Sequence, residues 1–82
     1  MKYVCLVYGA AAGDLERLRP AATATTVRVR DGQTLVSDGP FAETPDELTG
    51  FRVVEADEAD EAFAVARGLG GTAVEVRPEY VS

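Results

Sequence analysis

An α+β sandwich, an antiparallel sheet with two helices on one face, is the fold class the sequence predicts. Three observations lead there. Short β-branched and aromatic runs recur along the chain, two stretches with helical spacing interrupt them, and 82 residues supply one core but not two. The resulting order, β-α-β-β-loop-β-α-β, is that of a ferredoxin-like sandwich with an elaborated middle hairpin, expected as a single domain over residues 1–82.

The run Tyr3–Tyr8 (YVCLVY) ends at Gly9 and is apolar at every position, the pattern of a strand covered on both faces. Alternation sends Tyr3, Cys5 and Val7 one way and Val4, Leu6 and Tyr8 the other. Ala10–Arg19 offers Asp14 as an N-cap before Leu15 and Leu18, with Pro20 as a stop, and predicts a short first helix. Thr23–Arg30 alternates Val27 and Val29 with Arg28 and Arg30 and runs into Asp31-Gly32, a hairpin turn signal, so Gln33–Ser37 is expected to return antiparallel. Asp38–Leu48 has no period and carries Gly39, Pro40 and Pro45, which predicts an ordered loop with one helical turn after Thr44. Phe51–Ala56 is the next strand. Asp57 is expected to cap a helix running to Arg67, with Ala59, Ala62, Phe63 and Ala66 facing inward and Gly68 at its C-terminal end. Thr72–Arg77 is the last strand, closed by Pro78.

Composition narrows the function. The chain is 46% hydrophobic and 27% charged, a globular balance, yet alanine supplies a third of the hydrophobic set and Ile and Trp are absent. So thin a core, together with a first strand apolar on both sides, predicts a homodimer or higher oligomer that covers the open sheet face. A net charge of −6 argues against binding a polyanion through counterion release, and no nucleic-acid partner is expected. The absence of histidine removes Ser-His-Asp and Cys-His nucleophile systems and every His-ligated metal site, so neither metal nor cofactor is expected. One cysteine, no apolar run of membrane length and no signal-peptide pattern at Met1-Lys2-Tyr3 point to a cytoplasmic protein.

The densest chemical signal is Asp38-Gly39-Pro40-Phe41-Ala42-Glu43-Thr44. One reading is structural, with the Asp38 carboxylate folded onto nearby backbone N–H groups as an Asx turn. The other places Asp38 and Glu43 at a cleft edge as catalytic carboxylates, one taking and one giving a proton. Arg77, in Glu75-Val76-Arg77-Pro78, is either part of an exposed charge ladder or a donor fork for a ligand carboxylate, Asp38 or Glu43. Tyr8 is either a packing residue or a pocket phenol. Cys5 reads as a buried small hydrophobe.

Thr25–Gly32 (TTVRVRDG), Val36–Thr44 (VSDGPFAET), Leu48–Phe51 (LTGF) and Gly71–Pro78 (GTAVEVRP) together resemble the YCII-related family in its DGPF branch. The resemblance spans nearly the whole chain. It implies a dimeric ferredoxin-like (dimeric α/β barrel-type) fold and a cleft beside the DGPF aspartate, here Asp38. Gly39, Pro40 and Phe41 then stand at the cleft's edge, and Tyr8 and Arg77 are candidates to bind a small organic or anionic ligand. It also implies an accessory role near extracytoplasmic-function sigma factors. The histidine that some relatives pair with an aspartate has no counterpart here, and the segment between Gly9 and Thr23 is shorter than in relatives. Any cleft wall built from that segment is correspondingly reduced.

Overall fold

Residues 1–81 are described by a computed structural model. The apolar run at the N-terminus forms β1 (Lys2–Tyr8), which sits inside a four-stranded antiparallel sheet between β5 (Leu48–Glu55) and β6 (Ala73–Pro78). A two-residue strand, β2 (Glu16–Arg17), extends β5 at the edge, giving the order β2-β5-β1-β6. Register places Cys5 beside Arg52 and Val76, and Val7 beside Gly50 and Val74, so these residues share one face. The single helix among the described residues, α1 (Ala59–Ala66), lies on that face and buries Ala62 and Ala66 against Tyr3, Cys5, Val7, Val54, Ala56 and Leu69. The second strand pair, β3 (Thr25–Arg30) and β4 (Gln33–Asp38), forms a separate two-stranded sheet.

The α+β class with antiparallel sheets is therefore present, but with one helix rather than two. Ala10–Arg19 does not form the expected helix. Its backbone groups are bonded elsewhere: Ala12 N–H donates to the Leu69 carbonyl at 2.8 Å, Ala11 bridges Gly70, and Leu18 N–H donates to Thr49 at 2.9 Å. Gly13 adopts φ +83°, and Asp14, the expected cap, instead lends its carbonyl to Arg52 at 3.2 Å. A helix this short has little stability of its own, whereas the free edge of β5 offers a ladder to any strand that reaches it. Leu15 then packs over Gly50, whose missing side chain leaves the space.

Two details of the remaining helix also differ from expectation. Glu58, not Asp57, occupies the cap position, and its side chain makes no capping bond. Phe63 is 45% exposed because the sheet beneath the helix ends at β6 and the stripe that reaches the core is the small one, Ala62 and Ala66. Gly68 follows the C-cap Arg67 as expected, and the left-handed backbone comes two residues later, at Gly70 and Gly71.

The hairpin matches its sequence pattern closely. Asp31 (φ 51°) and Gly32 (φ 76°) form a two-residue turn with both dihedrals positive, and strict alternation pairs Val27 with Val36 and Arg28 with Leu35. It makes an arm. The Cα radius of gyration is 14.7 Å, above the about 12 Å expected for a chain of this length, and the extents are 41 × 33 × 18 Å.

On the face opposite α1, no helix or strand among the described residues packs over the sheet. Val4, Leu6, Tyr8 and Phe51 are half-buried there by their neighbours, and Val53 is 52% exposed.

Cys5 is fully buried. Burial pushes its thiol up from the ordinary 9.0, opposed in part by the Arg52 guanidinium. The folded state thus holds the thiol proton more tightly than the unfolded state does. This contribution is complete below the unfolded thiol's value and is lost as pH rises from there through the raised folded value, so the wild type should lose stability above about pH 9 more steeply than Cys5→Ala. Denaturant midpoints of both proteins across that range test it; parallel curves would remove the role assigned to burial.

Candidate functional site

The loop after β4 is set by backbone chemistry. Gly39 takes φ +96°, and a Cβ there would meet nothing within 4 Å, so its need for glycine is conformational rather than steric. Gly39 N–H donates to the Ala24 carbonyl at 2.8 Å, and the Thr26 hydroxyl donates to the Gly39 carbonyl at 2.7 Å. Pro40, two residues after Asp38, has no N–H to offer an Asx turn. The loop is therefore pinned to the approach to β3, and Asp38 ends β4 as an exposed residue opposite Thr25. Phe41 turns back so that its ring lies under the Arg28 guanidinium, 5.5 Å from centroid to carbon, while remaining 75% exposed.

The second half of the loop returns to the main sheet. The expected helical turn after Thr44 does not form; the Thr44 hydroxyl instead donates to the Asp46 carbonyl. The Asp46 carboxylate accepts from the Thr72 hydroxyl at 2.6 Å, and the Glu47 carbonyl accepts Gly9 N–H at 2.8 Å. Thr49 adds a hydroxyl bond to the Gly9 carbonyl at 2.5 Å. These contacts fasten the loop to the end of β1, where Tyr8 lies.

Between the loop and the stretch from Leu18 to Ala24 is an open groove of about 760 Å³. Tyr8 and Leu48 contribute from the main sheet, Leu18, Arg19, Pro20 and Ala21 from the segment after β2, and Pro40, Phe41, Glu43 and Glu47 from the loop. The structure thus brings together four of the residues singled out in the sequence: Tyr8, Pro40, Phe41 and Glu43. Asp38, Gly39 and Arg77 are not among the residues that line it. Arg77 lies on β6 in register with Val4, and its Nε donates to the carboxylate of Glu75. Arg77 is thus paired within its own strand, and Glu43 lines the groove without Asp38.

Sequence reasoning misses Leu18, Arg19, Pro20 and Leu48 as lining residues, because the first three read as a helix and its stop. Pro20 does end a segment, but the next element is a single 3-10 turn, Ala21–Thr23, whose Thr23 hydroxyl bonds the Pro20 carbonyl at 2.6 Å. Among the described residues, no three Cys, Asp or Glu side chains are placed to hold a metal ion, and no helix is long and apolar enough to cross a membrane.

Residues 1–77 match the model of the YCII-related domain. The chain is also similar to an uncharacterised protein of Rhizobium meliloti (strain 1021), 42% identical over 71 residues, an alignment that covers 80% of this chain and 57% of the relative. It therefore spans little more than half the length of that relative. The match from Met1 to Arg77 takes in β1, the hairpin, the groove loop and all but the last residue of β6, and on this ground the chain belongs to the YCII-related domain family.

Proposed function

We propose that this chain is a cytoplasmic small-ligand-binding protein whose groove beside the DGPF loop takes a compact organic molecule, and that it works as a homodimer. The groove carries the reading: about 760 Å³ falls within the range of small-molecule sites, and its lining is mainly apolar with a few polar groups at the margin. Those groups include Arg19, Glu43, Glu47, the Tyr8 phenol and the hydroxyls of Thr23 and Thr44. With Arg77 on β6 and bonded to Glu75, a neutral or zwitterionic ligand with an apolar body suits the groove better than a bare anion. Acid-base turnover through paired Asp38 and Glu43 is less well supported, because only Glu43 is at the groove. The open sheet face supports dimerisation, since it leaves Val53 and its neighbours without cover. An accessory role beside an extracytoplasmic-function sigma factor is the reading added by the DGPF resemblance, with ligand occupancy as the signal.

A fragment screen by protein NMR tests the groove. Hits are expected to shift the amides of Tyr8, Phe41 and Ala42, and Phe41→Ala should weaken them about tenfold while leaving the spectrum of the main sheet unchanged. Shifts confined to other surfaces, or hits indifferent to Phe41→Ala, would overturn the reading.

A further inference from the structure

The β3–β4 hairpin has the composition of an interface and no interface within its own chain. Alternation puts Val27, Val29 and Val36 on one face, where they are 61%, 72% and 65% exposed. Leu35, on the other face, is 49% exposed beside Arg28 and Arg30. The hairpin forms its own sheet: the Gly39–Ala24 and Thr26–Gly39 bonds close its open end, and the Arg28 guanidinium over Phe41 is its contact with the loop that follows. An isolated two-stranded hairpin is marginal in water, and three β-branched apolar side chains on one exposed face are costly unless covered.

We propose that this hairpin is an intersubunit arm: its Val27, Val29 and Val36 face packs on a second copy of the chain. The inference rests on the dimer reading above and extends it to the part of the molecule that secures the dimer. Area is the argument for that occupant. Three full-length strands, roughly 24 Å long and 4.8 Å apart, give the open sheet face about 350 Å² in plan, where a standard interface takes about 800 Å² of accessible surface from each partner. The hairpin adds a further face of about 200 Å² in plan, and accessible area tracks side-chain relief and exceeds the plan. The arm thus supplies more than a third of the about 550 Å² in plan that the two surfaces offer together, and with side-chain relief counted the pair approach the standard size. Both surfaces are on the same chain, so a two-fold arrangement in which the sheet faces stack and each arm reaches onto the other copy is self-complementary and closes without exposing a second open surface.

Sedimentation equilibrium on the full chain tests this with Val27→Thr/Val29→Thr, which keeps β-branching and strand propensity, and with Val27→Lys/Val29→Lys. The wild type is expected to be dimeric, the Thr variant to dissociate at least tenfold more readily, and the Lys variant at least a hundredfold, with far-UV circular dichroism unchanged in the Thr variant. A dimeric wild type whose dissociation constant is unmoved by either variant would overturn the arm and leave the sheet-face dimer standing. A wild type that stays monomeric at all concentrations would overturn both.

Discussion

Leu69→Ala is expected to lower the stability of the fold by about 2–5 kcal/mol, enough to leave a chain of this size largely unfolded at body temperature. Leu69 is 2% exposed and is the largest side chain of the fully buried set, alongside Val7 and Cys5. The core it belongs to is rich in small side chains, Cys5, Ala56, Ala62 and Ala66, which have little with which to collapse into the space it would leave. Its backbone is equally committed, since its carbonyl accepts Ala12 N–H at 2.8 Å and so holds the segment that replaces the expected first helix. Urea unfolding followed by circular dichroism measures the loss. A change below about 1 kcal/mol would mean that the core relaxes around the gap and that α1 is not fixed by this contact.

Gly71→Ala is the second large effect, on the order of 3 kcal/mol, although the residue is at the surface. Gly71 adopts φ +74°, and a Cβ there would run into the Tyr8 carbonyl oxygen, with the Val7 Cγ1 at 3.0 Å. That carbonyl is already engaged by Thr72 N–H at 2.9 Å, and Gly71 N–H donates to the Ala10 carbonyl at 2.6 Å. The added methyl therefore combines left-handed strain with displacement of the first rung between β1 and β6. Because Tyr8 also lines the groove, the variant should lose both thermal stability and the fragment-induced shift at Tyr8. A melting temperature within a degree or two of wild type would show that the turn at Gly70-Gly71 simply moves away.

The parts legible in the sequence are those whose information is local. Asp31-Gly32 specifies its own turn, the Val27/Val29 alternation specifies the hairpin, and the apolar run at Tyr3–Tyr8 identifies the strand that ends inside the sheet. Leu15 and Leu18 mislead because their helical spacing is equally served by a bent, extended segment when a free β5 edge and an empty site at Gly50 lie within reach. Neither the edge nor the empty site is visible from residues 10–19. The groove is half legible for a related reason. Pro40, Phe41 and Glu43 announce themselves as a motif, whereas Leu18 and Pro20 join them only because β2 runs beside β5. Charge alone draws Arg77 toward the loop, but Glu75, two residues away on the same face of the same strand, holds it first.

The placement of β1 also dictates an order of events. Lys2 is paired with Glu55 and Tyr3 with Pro78, so β1 has no partner until β5 has been made and lacks its second until β6 follows. Loops of that span close slowly, whereas the hairpin around Asp31-Gly32 needs only its own residues and closes in microseconds. During synthesis the nascent chain therefore carries a finished hairpin beside an unpaired, apolar strand waiting on the ribosome, and that interval is when this protein is most exposed to wrong partners.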